Sequence, residues 1–381
     1  MNTRFLMKKK ITLSVLIISC LNILLSQDIP TVSPHSPTVS SLGKYIDFPI
    51  SLYTGQAEVS IPIYNLVVKD IQVPISLQHH TGGVRVEEIA SSVGLNWSLV
   101  ANGTVIRRIN GRADNASIFF YEEPSYNLNS SRFTDHVGSA SGSMDTEHDY
   151  YYFTSGSHNG KYAIDFLNGS TPVQFPVQDV KIEHNGINPP KITTPDGLVY
   201  YYDKTEVNNS LTACNSTGTS NSNSLLSPTT WFLTRIESQT SDAFVDFIYE
   251  TKYLEYDQNG PQTKYENIVS FRNDNDCTVK NRINTHRLLA IESSDGQRVD
   301  FVKGALRADL ENDYLLSEIA VTSTQISFSK RFVLTHKYQD GSALNNLSYY
   351  NPITIHDYQR ERLRPILTKI QEFGNDNTAL A

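Results

Sequence analysis

Apolar and polar residues alternate over short runs along most of this chain, with Gly, Pro, Asn and Asp between the runs. Alternation puts successive side chains on opposite faces of a strand, so each run predicts a half-buried β-strand. The pattern predicts strands over residues 47–53, 57–64, 71–78, 150–154, 160–166, 172–176 and 179–184. Pro49, Pro62 and Pro74 recur in the first three, and a residue without an N–H predicts edge or end positions there. Asp196-Gly197 lies between Thr193-Thr194-Pro195 and Tyr200-Tyr201-Tyr202 and signals a hairpin. Short strands at even spacing read as a sandwich, barrel or meander. Periodicity fades over residues 113–146, which read as a mobile excursion.

Residues 82–112, GGVRVEEIASSVGLNWSLVANGTVIRRINGR, are the densest stretch. Gly82-Gly83 allows positive φ, and Val84-Arg85-Val86 then alternates as a strand does. Asn102-Gly103 is the dipeptide of a type I′ hairpin turn, with a second strand over residues 104–109. Trp97, between Gly94 and that turn, is expected to fix the corner as a buried indole. Should Glu88 point inward, Arg107 or Arg108 is its expected ion-pair partner.

Composition agrees with the pattern. The 21 tyrosines and 16 phenylalanines favour strands, and only 3 methionines are present. The predicted class is all-β, built of antiparallel meanders or sandwich-like sheets, with little helix after the signal peptide. Residues 1–26 read as that export signal, with Lys8-Lys9-Lys10 before an apolar run over residues 11–25. The run is shorter than the ~20 residues of a membrane span, so no retained span is expected. Cleavage before Gln27 is the primary expectation, and lipoprotein processing at Cys20 is the alternative. Residues 27–41 read as a Pro/Ser/Thr linker, 42–205 as a first β-domain, 206–230 as a polar loop and 231–381 as a second β-rich region. The second region carries a degenerate strand-turn-strand repeat. Leu233, Ile236, Val245 and Phe247 are echoed by Leu288, Ile291, Val299 and Phe301.

The net charge is −8, and taking away the four basic residues of 1–26 leaves −12 on the rest. That balance argues against nucleic acid as a partner, which needs a basic face.

Gly83, Val84, Val86, Glu88, Ala90, Val93, Gly94, Leu95, Trp97, Ser98 and Leu99 match G-[IV]-x-V-x-E-x-A-x-x-V-G-L-x-W-[ST]-L, followed by Asn102-Gly103 and a strand with Arg107. Through these residues the chain resembles the N-terminal, non-repeat region of RHS/YD-repeat proteins of Bacteroidetes-type bacteria. Residues 42–84 and the segments around Tyr150 and Asp196 are similar to further stretches of that region. The resemblance implies an RHS-associated β-domain, secreted or on the cell surface, with a structural or interaction role. Its larger members wind strands into a shell that encloses or displays a C-terminal toxin or adhesive module. Downstream RHS repeats, a toxin module or a cell-surface glycan are the implied partners. The G…RY.YD…GR core of a YD repeat is missing, so a truncated or split member is expected.

Candidate chemistry is sparse. No nucleophile elbow, zinc motif or phosphate loop occurs, and no cofactor is expected. Glu87-Glu88 and His79-His80 are adjacent pairs, and a strand would point their members to opposite faces. Asp274 and Asp276 form a weak calcium candidate, without the Gly and Glu of an EF-hand at the required offsets. His136 and His148, near Asp135, Asp145 and Asp149, show no ligand spacing. Cys214 and Cys277 remain after cleavage and are a candidate disulfide. The tyrosine clusters suit carbohydrate contact, and Glu88, Asp196 and Asp300 are the carboxylates a secreted polysaccharide hydrolase would use. A non-catalytic exported module is the expected function, with a carbohydrate- or surface-binding domain and that hydrolase as the alternatives.

Overall fold

Alternation becomes pairing in the simplest way at the start of the fold. Ile71, Val73, Ile75 and Leu77 are buried while Gln72, Pro74 and Gln78 are exposed, because one face of this strand covers the core. This strand, β2 (Ile71–His80), pairs antiparallel with β1 (Glu58–Val68) on one side and β3 (Trp97–Val100) on the other. Both prolines obey the missing-donor constraint. Pro62 sits at a register break of β1, and Pro74 lies on the part of β2 that β3 does not reach.

The computed structural model describes residues 55, 57–84, 88–101, 103–110, 113–114, 147–166, 168–214, 221–222, 227–259, 277–324, 328–340, 363–374 and 379–380. No helix occurs among the described residues, all of which belong to the unit Ile50–Ala381. The signal peptide, the linker and the strand expected over residues 47–53 lie outside them.

The remaining strands form one antiparallel, barrel-like sheet. Its first part is β4 (Thr104–Arg108), β5 (Tyr150–Ser155), β6 (His158–Asp165), β7 (Thr171–Gln174), β8 (Lys181–Glu183), β9 (Lys191–Thr193) and β10 (Leu198–Tyr201). Next come β11 (Lys204–Cys214), β12 (Asn221–Ser222), β13 (Pro228–Phe232), β14 (Arg235–Ser238) and the two longest, β15 (Phe244–Asn259) and β16 (Cys277–Ser293). β17 (Gln297–Leu306), β18 (Tyr314–Ser323), β19 (Phe328–Asp340), β20 (Leu363–Phe373) and β21 (Ala379–Leu380) complete it as a meander. The all-β, antiparallel expectation holds. The inner faces of both sheets share a single hydrophobic core.

Two turns show how sequence sets register. Thr194 and Ser293 each lead into x-Asp-Gly, and each hydroxyl bonds the Asp two residues on and a carbonyl four residues on. Gly197 and Gly296 adopt φ of 82° and 83°, which a side chain would strain. The degenerate repeat forms matching hairpins, with Ile236 opposite Val245 and Ile291 opposite Val299. Within the expected polar loop, residues 206–214 are instead the strand β11, paired with β13 and β16. Both faces of β11 are partly solvated, so Asn and Ser are compatible with a strand whose backbone finds partners.

The corner around Asn102-Gly103 differs more. β3 pairs with β2, whereas β4 pairs with β5 and β13, so no hairpin joins β3 to β4. Gly103 is absent from the positive-φ glycines; a Cβ there would lie 2.3 Å from the Thr154 carbonyl oxygen. Glycine is needed for close backbone approach where the chain leaves one sheet for the other. Val84 is in no strand and is exposed, while Val86 and Asn102 lie outside the described residues.

The buried indole is Trp231, fully inaccessible, and not Trp97, which is half-buried and packs edge-on against His79 at 4.9 Å. Trp231→Ala is therefore expected to destabilise by about 3–5 kcal/mol, and Trp97→Ala by clearly less. Urea unfolding of both variants measures the difference; equal losses would contradict this assignment.

Candidate functional site

The motif residues of 88–99 work as a clasp between distant parts of the chain. Gly94, at φ 130°, closes a tight turn with Ser91, and a Cβ on it would meet the Leu367 backbone nitrogen at 2.9 Å. Leu95 N donates to Pro365 O (2.7 Å), Leu316 N donates to Ser92 O (2.8 Å), and His336 Nε2 donates to Val93 O (2.8 Å). This loop is thus stitched to β18, β19 and β20. Gly83 takes φ 86° before it, and Glu88 is partly buried outside any strand.

Arg107 faces inward from β4, but its buried partner is Asp149 rather than Glu88. Nε donates to Asp149 Oδ2 at 2.7 Å and Nη2 to the Asp114 carbonyl at 2.7 Å, with both charged side chains almost fully buried. Asp149 also accepts from the Asn110 and Asp114 backbone N–H groups. Beside this pair lies an aromatic box. Tyr151 stacks on Tyr162 at 5.1 Å, and His184 packs edge-on against Tyr151 and Trp231. Tyr162 Oη and His184 Nδ1 share a hydrogen bond of 2.8 Å. Burial, helped by the Arg107 charge, pushes His184 down to about 3, so the imidazole is neutral at physiological pH.

A cavity opens where β16 and β17 part. Their ladder covers Ala290–Glu292 opposite Arg298–Asp300, after which the strands diverge. On the same edge, β16 pairs with β11 only up to Asn284. His286, Arg287 and Leu288 thus face a wedge closed on its far side by Phe301, Val302 and Lys303, with a volume of about 200 Å³. Register breaks next to Leu289 and Ser317 border it and re-aim the flanking side chains. Phe232, Tyr249 and His286 line one wall, with ring centroids 5.8–6.3 Å apart. His286 Nε2 donates to Thr205 O at 3.1 Å, and burial pushes its pKa down.

Lys252, Arg287 and Lys303 bring charge to the cavity. Lys303 bonds Glu250 at 2.8 Å, Arg287 bonds Glu250 at 3.0 Å and Asp313, and Lys252 bonds Asp313 at 3.1 Å. Burial pushes the Asp313 carboxyl up, but Lys252, Arg307 and Arg287 outweigh it and hold it below its ordinary value. None of these charges belonged to the site expected from sequence. The Glu250–Arg287 register is visible only after β15 and β16 pair.

The other expected residues are dispersed. Asp196 accepts from Thr194 in the β9–β10 turn, and Asp300 accepts from Arg298 along β17, so these carboxylates serve local structure on separate elements. Tyr151 and Tyr200 point inward, while Tyr150 lies under Lys161 and Tyr201 bonds Glu237. No group of three or more His, Cys, Asp or Glu residues could hold a metal among the described residues. Asp274, Asp276, His136, Asp135 and Asp145 lie outside them. Among the described residues no helix is long and apolar enough to cross a membrane.

The fold sets the sign of one pH dependence. The unfolded chain protonates His184 near pH 6.5, whereas the folded chain resists down to about 3. Its contribution is complete above about 6.5 and is lost as pH falls, at ~1.4 kcal/mol per pH unit within the window. The stability gap between wild type and His184→Phe should therefore shrink from pH 6 to pH 4 in urea titrations. A constant gap would show that His184 charges inside the fold.

The β11–β16 register sets Cys214 opposite Cys277. Directly opposed residues of an antiparallel pair have Cα atoms about 4.5–5.5 Å apart, within disulfide reach. For residues 27–381 purified under oxidising conditions, the expected result is that neither thiol takes up a maleimide until a reductant is added. Labelling of both without reductant would exclude the bridge. The chain matches no family model and no curated protein.

Proposed function

We propose that this chain is an exported, non-catalytic structural and interaction module of the RHS/YD-associated kind, a β-framework extended by successive hairpins. The repeated hairpin carries this reading. The turns at residues 238–244 and 293–297 each join the two strands of one strand-turn-strand copy, β14 to β15 and β16 to β17, and both copies add their strands to the same antiparallel sheet. The clasp at residues 91–95 ties the motif to β18–β20, as a module that closes a sheet requires. The motif residues bear on geometry rather than on a reacting group. Gly94 makes a close approach, Trp97 packs on His79 and Arg107 neutralises Asp149.

The two alternatives have less support. Asp196 and Asp300, named for a hydrolase, are engaged in a turn and in an ion pair with Arg298 along β17. Of the outward tyrosines that would stack on sugars, Tyr150 and Tyr201 already carry lysine side chains on their rings, which leaves Tyr152 as a single exposed ring rather than a platform. Residues 27–381 incubated with a panel of dye-linked polysaccharides are expected to release no product. Release that Glu88→Gln, Asp196→Asn or Asp300→Asn abolishes would overturn the non-catalytic reading.

A further inference from the structure

The wedge between β16 and β17 carries an inference independent of the framework role. Its walls combine an apolar surface, from Leu99, Phe232, Tyr249 and Leu316, with three cationic side chains. Lys252, Arg287 and Lys303 border the cavity, whereas their partners Glu250 and Asp313 stand behind them and do not line it. Arg287 and Lys303 lie over the Tyr314 ring, each 5.3 Å from its centroid, which holds both heads at the cavity edge.

The charges in this network do not balance. Lys252, Arg287, Lys303 and Arg307 face Glu250, Asp309 and Asp313, so four cations share three carboxylates. Arg307 and Asp309 are both almost fully buried and complete one pair between themselves. The surplus charge therefore falls on the three cations at the cavity. Burial pushes the Lys252 pKa down, the neighbouring Arg287 and Arg307 add to that, and Asp313 offsets it only in part. A buried, undercompensated cation is costly, and an anion delivered into the wedge would relieve that cost.

We propose that the wedge binds a small organic anion with one carboxylate and an apolar body, the carboxylate between Lys252, Arg287 and Lys303 and the body against Phe232, Tyr249 and Leu316. About 200 Å³ is below the roughly 300–1,000 Å³ of drug-sized sites, so the ligand is small or is the end of a longer chain. One carboxylate restores neutrality, and a second would leave an excess of negative charge. A free acid and the C-terminal residue of a peptide offer the same group.

Titration calorimetry on residues 27–381 separates these cases. Phenylacetate is the probe for a free acid, with 2-phenylethanol and phenethylamine as neutral and cationic controls. Ala-Ala-Ala-Phe, with a free or an amidated C-terminus, is the probe for a chain end. The acid probes are expected to bind with Kd of about 1 mM or tighter, and the neutral, cationic and amidated probes at least about tenfold more weakly. Tighter binding of phenylacetate assigns the site to free acids, and tighter binding of the free-acid peptide assigns it to chain ends. Lys303→Met, at a side chain 40% exposed and so tolerant of change, should weaken acid binding about tenfold. Lys330→Met, paired with Glu372 on another part of the sheet, should leave it unchanged. Absence of binding by both acid probes, equal binding of acid and alcohol, or equal affinity of Lys303→Met and wild type would each overturn the proposal.

Discussion

A strand must satisfy its backbone on both edges, and β16 does so with three different partners. β15 covers one edge along nearly its whole length. The other edge is shared by β11 over the first half and β17 over a short stretch near the end. Two partners cannot meet end to end without a gap, so the middle of β16 is left facing a wedge. The cavity, the two register breaks beside it and the charge lacing across it all follow from that exchange of partners. Because β11 and β17 come from opposite sides of β16 in sequence, the exchange also joins the earlier strands to the C-terminal meander.

Charge inside this fold is handled in two contrasting ways. Arg107 and Asp149 are fully buried but closed, since backbone N–H groups and a carbonyl satisfy what the ion pair leaves over. Such a pair is expensive to break and adds little net stability, but it fixes the angle at which β4 enters the sheet. The network behind the wedge is open on one side, and its lysines and Arg287 reach toward solvent through the cavity. Closed charge holds structure in place, whereas open charge is available to a ligand.

The loop carrying the recognisable motif was legible in sequence as important, but for reasons that proved different in detail. Gly94 and Gly103 were conspicuous as glycines. Only the neighbouring Leu367 nitrogen and Thr154 carbonyl show that both are required by close approach. Trp97 and Trp231 are equivalent to any periodicity argument, yet only the second has the box of Tyr151, Tyr162 and His184 around it. Arg107 was legible only as one of two arginines that could pair with an inward Glu88. Its actual partner was not legible, because Asp149 is 42 residues away and follows a stretch without periodicity.

By itself, the amino-acid order determined the strand class, the inward and outward faces, and the two x-Asp-Gly turns. Each depends on a local rule: a period of two, a proline without a donor, or a hydroxyl three residues from a Gly with positive φ. Tertiary structure alone decided which strands share a ladder, that residues 206–214 join it, and that β16 changes partners. Those outcomes depend on backbone groups far apart in the chain competing for the same hydrogen bonds. No local pattern encodes the winner, so the wedge and its surplus charge exist only once the sheet has curled.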